Sequence, residues 1–221
     1  MKTLHELAVE HATDKAEHGY TEVYDRRLSP RRDEPLNVLE IGVFMGGSLR
    51  MWRDYFPNAT IQGVDLNTRR CGDIEGVTLV ELDVADRKGL ELLAAKHGPW
   101  DLIVDDASHT MKHQQSCLAA LWPHVKPDGF YVIEDIHTSF LPKLESCSAD
   151  SHNEKLIHTT FRMVESIKYG KDFSSKYVTK QRFDEIKSEV EHVTIWVRQP
   201  LEHSYDYTSD NSMTSMLRKR K

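Results

Sequence analysis

Hydrophobic positions along the chain fall into short continuous runs separated by segments with helical spacing, not into the strict alternation of a sheet with one wet face. NVLEI (37–41), ATIQGVD (59–65), GVTLVELD (76–83), WDLIVDD (100–106) and GFYVIED (129–135) read as strands. Between them, RKGLELLAAKHG (87–98), ending on Gly98, and HQQSCLAALWPHV (113–125) read as helices. Runs that stay apolar on both sides suit strands buried under helices on both faces, so the pattern predicts a doubly wound α/β fold with a Rossmann-like parallel sheet. KTLHELAVEH (2–11) predicts a short amphipathic opening helix, and the polar stretch after it sets Tyr20 and Tyr24 one helical turn apart. A turn at Asp33, Glu34 and Pro35 precedes the first strand. Beyond Asp135 the pattern loosens, recovers in a helix from about Glu154 to Lys168, and closes with EVEHVTIWVRQ as a late strand. The insert before that helix is expected to form a substrate lid, because ligands of such sheets bind outside the carboxyl ends of the strands.

Composition narrows the class of protein. Hydrophobic types make up 39% of the 221 residues, and no stretch reaches the roughly 20 apolar residues of a membrane helix. The start, MKTLHELAVEHATDK, is broken by charges before an apolar core of a signal peptide can form, so a cytoplasmic protein is expected. Cys71, Cys117 and Cys147 are odd in number and lack CxxC spacing, which suggests neither a disulfide framework nor a thiolate zinc site. Net charge is −6, from 29 basic against 35 acidic residues. Neither nucleic acid nor a membrane is therefore an expected partner, and assembly of several copies is allowed but not specified. The one dense basic run is the terminal RKRK, and residues 204–221 read as a polar, basic tail.

The first strand runs into LEIGVFMGGSLRMW, which places Glu40, Gly42, Gly46 and Gly47 around a strand-to-helix turn, with Ser48 suited to cap the next helix. A dinucleotide fingerprint starting at Gly42 needs a glycine where Phe44 stands, so a pyrophosphate cofactor is disfavoured. Asp65 ends the second strand where an acid can take two ribose hydroxyls, and Asp83 ends the third where it can meet the amine of adenine. A ligand with ribose and adenine but no phosphates fits. At these residues the chain resembles the class I S-adenosylmethionine methyltransferases, with their ExGxxxG turn and acid-terminated second strand. The bland alternative is a Rossmann-like domain whose glycines serve only the turn. Residues 1–35 are then expected to cap the cofactor site, and 36–203 to form the methyltransferase domain.

A second constellation lies at the ends of strands four and five. VDDASH supplies Asp105, Asp106 and His109, and VIED supplies Glu134 and Asp135. Asp106, Glu134 and Asp135 converge if the strands are parallel neighbours, and three close carboxylates repel unless a cation compensates. Hard oxygen donors favour Mg²⁺ or Mn²⁺. A zinc reading through His109 and His113 lacks the glutamate of HExxH. His109 sits one turn after Asp106, and an imidazole with its ordinary pKa near 6.5 suits a general base; His113 and His137 are the reserves. Asp105 reads as a capping or cofactor-orienting acid.

VDDASH and VIED together resemble the magnesium-dependent sugar O-methyltransferases of macrolide biosynthesis and the cephalosporin-hydroxylase-like group that shares their pattern. The resemblance implies that Asp106, Glu134 and Asp135 bind Mg²⁺ and that His109 is the base. Ala107 replaces that family's usual glycine. TDKAEHGYTEVYD also resembles a segment that folds over the cofactor in that family, which implies that Lys15 and Tyr20 help to close the site. The likeness spans about residues 12–140. It implies methyl transfer from S-adenosylmethionine to a hydroxyl of a sugar or polyol on a small secondary metabolite, as in antibiotic biosynthesis. A catechol-like diol and a non-catalytic cofactor-binding partner are the competing expectations.

Overall fold

A computed structural model describes residues 1–140, 156–198 and 212–221. The predicted runs become strands β1 (Asn37–Ile41), β2 (Thr60–Asp65), β3 (Val77–Glu81), β4 (Trp100–Asp105) and β5 (Val125–Ile133), all mutually parallel. Two further strands, β6 (Val190–Val197) and β7 (Met213–Lys219), complete a sheet of order β3-β2-β1-β4-β5-β7-β6. β7 is antiparallel to both neighbours. Helices α1 (Leu4–Glu10), α2 (Tyr20–Leu28) and α3 (Gly47–Tyr55) share one core, and α4 (Arg87–His97), α5 (Met111–Leu121), α6 (Leu156–Tyr169) and α7 (Lys180–Glu189) contribute to the other.

Alternate residues of one strand feed opposite cores. Val38, Leu102, Val104, Phe130 and Val132 pack under α1–α3, while Leu39, Ile103, Tyr131 and Ile133 pack under α4–α7. This is why the strands read as unbroken apolar runs. α1 starts in the capping box formed by Thr3 and Glu6.

Two features differ from the sequence reading. The expected tail at 204–221 is wrong for its second half. Met213–Lys219 lies inside the sheet, with Met216 and Leu217 buried on opposite faces, because β5 and β6 offer it backbone partners that composition does not reveal. Lys180–Glu189, given no element by the sequence reading, folds as a helix, and Tyr20–Leu28 is a helix within the N-terminal segment. Most of the proposed lid lies outside the described residues. Among the described residues no helix is long and apolar enough to cross a membrane.

The amino end of the sheet is pinned by Asp101. Its Oδ2 accepts from the Asn37 N–H at 2.8 Å and from Lys126 Nζ at 2.7 Å, and its Oδ1 accepts from Arg31 at 3.1 Å. Burial pushes this carboxyl up, but Lys126, the Asn37 amide and Arg31 hold it below the ordinary carboxylate value. A depressed acid adds stability that is complete above its unfolded pKa and is lost as pH falls through the folded one. Asp101→Asn is expected to cost about 2 kcal/mol at neutral pH and nearly nothing in strong acid. Urea midpoints of both proteins at the two pH values check this, and a gap independent of pH would exclude the ionised pair.

Candidate active site

Parallel register brings the carboxyl ends of the central strands to one edge. Ile41 pairs with Asp105, and Asp105 with Ile133, so Asp106, Glu134 and Asp135 leave neighbouring strands side by side. The first strand then enters the glycine turn. Gly42 has φ +84°, and a Cβ there would stand 2.2 Å from the Asp106 carbonyl oxygen, so the close approach of the two strand ends requires glycine. Gly46 caps α3 in the left-handed region. A Cβ on Gly47 would press on the His11 carbonyl at 2.7 Å, which lets the N-terminal segment lie over the turn.

A cleft of about 660 Å³ opens here, lined by Gly42, Gly47, Ser48, Asp65, Asp106 and His109 together with residues 11–14. Its size suits a nucleoside-containing ligand. Asp65 Oδ2 accepts from the amides of Val43 and Phe44 at 2.9 and 3.1 Å, so the acid also shapes the turn. Ser48 does not cap α3; its hydroxyl donates to buried Glu40 at 2.7 Å. Asp83 is exposed, accepts from the Ala85 amide at 2.8 Å, and does not line the cleft. Asp105 is buried beside Tyr131, which donates to it at 3.0 Å, and burial lifts its pKa to about 7. It faces the core, not the cleft.

The acids meet an N-terminal segment that is buried against them. Lys15 Nζ lies 2.6 Å from Asp106 Oδ2, 2.7 Å from Glu134 Oε2 and 3.2 Å from Glu40 Oε1. Tyr20 donates to Asp135 Oδ1 at 2.6 Å, and Tyr24 donates to Glu134 Oε1. Lys15 and Tyr20 therefore reach the carboxylate cluster, not the cofactor cleft. Tyr24, absent from the expected site, belongs with them; its spacing of one helical turn from Tyr20 was the available signal.

His109 stands between two of the acids, with Nε2 3.2 Å from Asp106 Oδ1 and Nδ1 3.4 Å from Asp135 Oδ2. Both His109 and Asp135 adopt positive φ, +53° and +54°, a strained conformation for residues with side chains. Burial opposes charge on the imidazole, but the hydrogen bond to Asp106 and the charge of Asp135 raise its pKa to about 9. The expected base with an ordinary pKa is thus held as an imidazolium at neutral pH by its carboxylate neighbours. Burial likewise opposes ionisation of Asp106, and Lys15 and His109 overcome it, holding that carboxyl well below its usual range. Glu134 is driven up by burial and by Asp106. Of the reserves, His113 bonds Ser108 at 2.8 Å, and His137 is buried 3.8 Å from Asp135.

The residues fit a hard divalent cation. Asp106, His109 and Asp135 each offer a ligand atom, all within 4.8 Å of one another. Glu134 is adjacent, but Lys15 and Tyr24 engage both its oxygens.

No family model matches the chain. It is 37% identical over 173 residues to demethylmacrocin O-methyltransferase of Streptomyces fradiae, covering 74% of this chain and 43% of that protein. Mycinamicin VI 2''-O-methyltransferase of Micromonospora griseorubida is 39% identical over 132 residues, 57% of this chain and 33% of that one. Ribosomal RNA large subunit methyltransferase E of Erythrobacter litoralis is 32% identical over 153 residues, 66% of this chain and 69% of that protein. The solved MycE methyltransferase, in complex with Mg, SAH and mycinamycin VI, superposes with a TM-score of 0.77 at 28% identity, covering all of this chain and 55% of that one. The chain belongs to the class I S-adenosylmethionine-dependent methyltransferases. Within that class it resembles the sugar O-methyltransferases of macrolide biosynthesis, and it spans about two-fifths of the length of the first such relative.

Proposed function

We propose that this chain transfers a methyl group from S-adenosylmethionine to a hydroxyl of a glycosylated small molecule, in a reaction that depends on Mg²⁺. The observation that carries the reading is the junction of the nucleoside-sized cleft with the Asp106, His109 and Asp135 cluster. Glu40, Asp65 and the glycine turn would hold the cofactor. Asp106 and Asp135, with Glu134 beside them, would hold the ion. When bound there, a divalent cation supplies Lewis acidity to a substrate hydroxyl and offsets the carboxylate charge that keeps His109 protonated. With that charge offset, His109 would release one proton to solvent, and the ring nitrogen so freed would accept the hydroxyl proton while the other keeps its carboxylate partner. Tyr20 fixes Asp135, and Lys15 with Tyr24 fixes Glu134, so the acids are oriented before ligands arrive.

Titration calorimetry with S-adenosylmethionine, with and without Mg²⁺, followed by methyl-transfer assays on glycosides, a catechol and an rRNA fragment, tests the reading. Glycoside methylation that stops in chelator is expected. Equal turnover in chelator would remove the ion, and transfer to RNA alone would overturn the substrate class that the MycE likeness favours.

His109→Asn keeps a residue that tolerates positive φ while removing the proton acceptor. Turnover is expected to fall about 100-fold with cofactor affinity unchanged. An unaltered rate would exclude His109 as the base.

A further inference from the structure

Lys15 places its ammonium in the middle of the acid cluster. The side chain is 1% exposed, and Glu40, Asp106 and Glu134 all lie within 3.2 Å of Nζ. Its backbone is anchored independently of those contacts. The Tyr20 N–H donates to the Lys15 carbonyl at 3.1 Å, and the His18 N–H to that of Asp14 at 2.8 Å. The stem is therefore aimed into the cluster by a fixed segment.

Three carboxyl groups, those of Glu40, Asp106 and Glu134, thus share a single ammonium. The ammonium occupies Asp106 Oδ2 and Glu134 Oε2, oxygens that a metal ion at this edge would also attract. Asp106 Oδ1 and Asp135 Oδ2 remain on the side facing His109. A tethered cation and a free one thus face the same acids from opposite sides.

We propose that Lys15 is an internal counter-ion, a positioning residue that holds Asp106 and Glu134 together in the metal-free protein and gives up contacts to both when a divalent cation enters. The inference rests on the metal-dependent reading above and adds a competition within it. Binding of the ion relieves the repulsion that Lys15 otherwise suppresses, so loss of Lys15 and gain of the ion are coupled, and the coupling is reciprocal.

Thermal melts and Mg²⁺ calorimetry on the full chain, wild type and Lys15→Met, test this in chelator and in saturating MgCl₂. The variant is expected to melt about 10 °C below wild type in chelator, since it leaves buried charges uncompensated. The gap should shrink to less than half in Mg²⁺, and the variant should bind Mg²⁺ at least about 10-fold more tightly than wild type. A lysine that merely braces the N-terminal segment would give the same gap in both buffers. That result, with wild type binding Mg²⁺, overturns the proposal alone. A wild type that neither binds Mg²⁺ nor gains stability overturns the metal reading as well. If Lys15→Met folds only in Mg²⁺, the proposal stands. If it folds in neither buffer, Lys15→Met combined with Glu40→Gln decides the matter. Tighter Mg²⁺ binding than wild type supports the counter-ion, and equal or weaker binding rejects it.

Discussion

Asp106→Asn is expected to reduce methyl transfer by about 1,000-fold or more, a barrier increase of about 4 kcal/mol, while the protein still folds and still binds S-adenosylmethionine. The residue is singular because four partners converge on it. One oxygen meets Lys15 and the other meets His109; its backbone carbonyl abuts Gly42, and its N–H donates to the Ile41 carbonyl at 2.8 Å. Asparagine preserves the backbone contacts and one acceptor but removes the charge that, in the proposed reaction, would hold a divalent ion and stabilise a protonated His109. Single-turnover kinetics with saturating Mg²⁺ and an isothermal titration with cofactor separate the two functions. A variant that lost cofactor affinity in step with turnover would show Asp106 to be a cleft residue first. One that kept normal turnover would remove the carboxylate from the chemistry.

Ending the chain before Ser212 is expected to abolish cooperative folding. β7 is an interior strand, and its removal strips the hydrogen-bonding edge from β5 at Phe130–Ile133 and from the whole of β6. It also removes buried Met216 and Leu217, each worth about 2 kcal/mol of burial, and the Thr214 hydroxyl that donates to the Ile133 carbonyl at 2.9 Å. The loss reaches a large part of the roughly 5–15 kcal/mol that a domain has in total. Beyond stability, Ser212 contacts His18 and the Met213 carbonyl accepts from Tyr20 at 3.3 Å, so the same strand backs the N-terminal segment over the acids. Circular dichroism and a thermal melt of the shortened protein decide the point; a sharp melt within a few degrees of the full chain would mean that the strand is dispensable.

These two predictions mark what could and could not be read from the residues alone. The acids of β1, β2, β4 and β5 were legible because a parallel sheet sends every strand end to one edge, and an apolar run ending in VDD or IED announces that edge. β7 was not legible. TSMLRK has two apolar residues in succession and four hydroxyl or basic neighbours, and only the backbone edges offered by β5 and β6 make it a strand. Asp83 failed for a local reason, since an acid two residues before a free amide closes its own turn. Lys15 was placed at the site by resemblance, but its partners could not be, because they lie 25, 91 and 119 residues away in sequence. The altered proton affinity of His109 is likewise a property of two acids from different strands, which no spacing within HTMKH reveals.

The left-handed backbone at His109 and Asp135 has a bearing on any effort to harden this protein. Glycine would relax both positions, and a selection that scores heat tolerance alone would favour it there. Each such gain would erase one of the groups proposed to hold the cation or take the proton, so survivors of that screen are expected to be sturdy and chemically inert. Directed evolution of this scaffold should therefore hold positions 109 and 135 constant and look for robustness elsewhere.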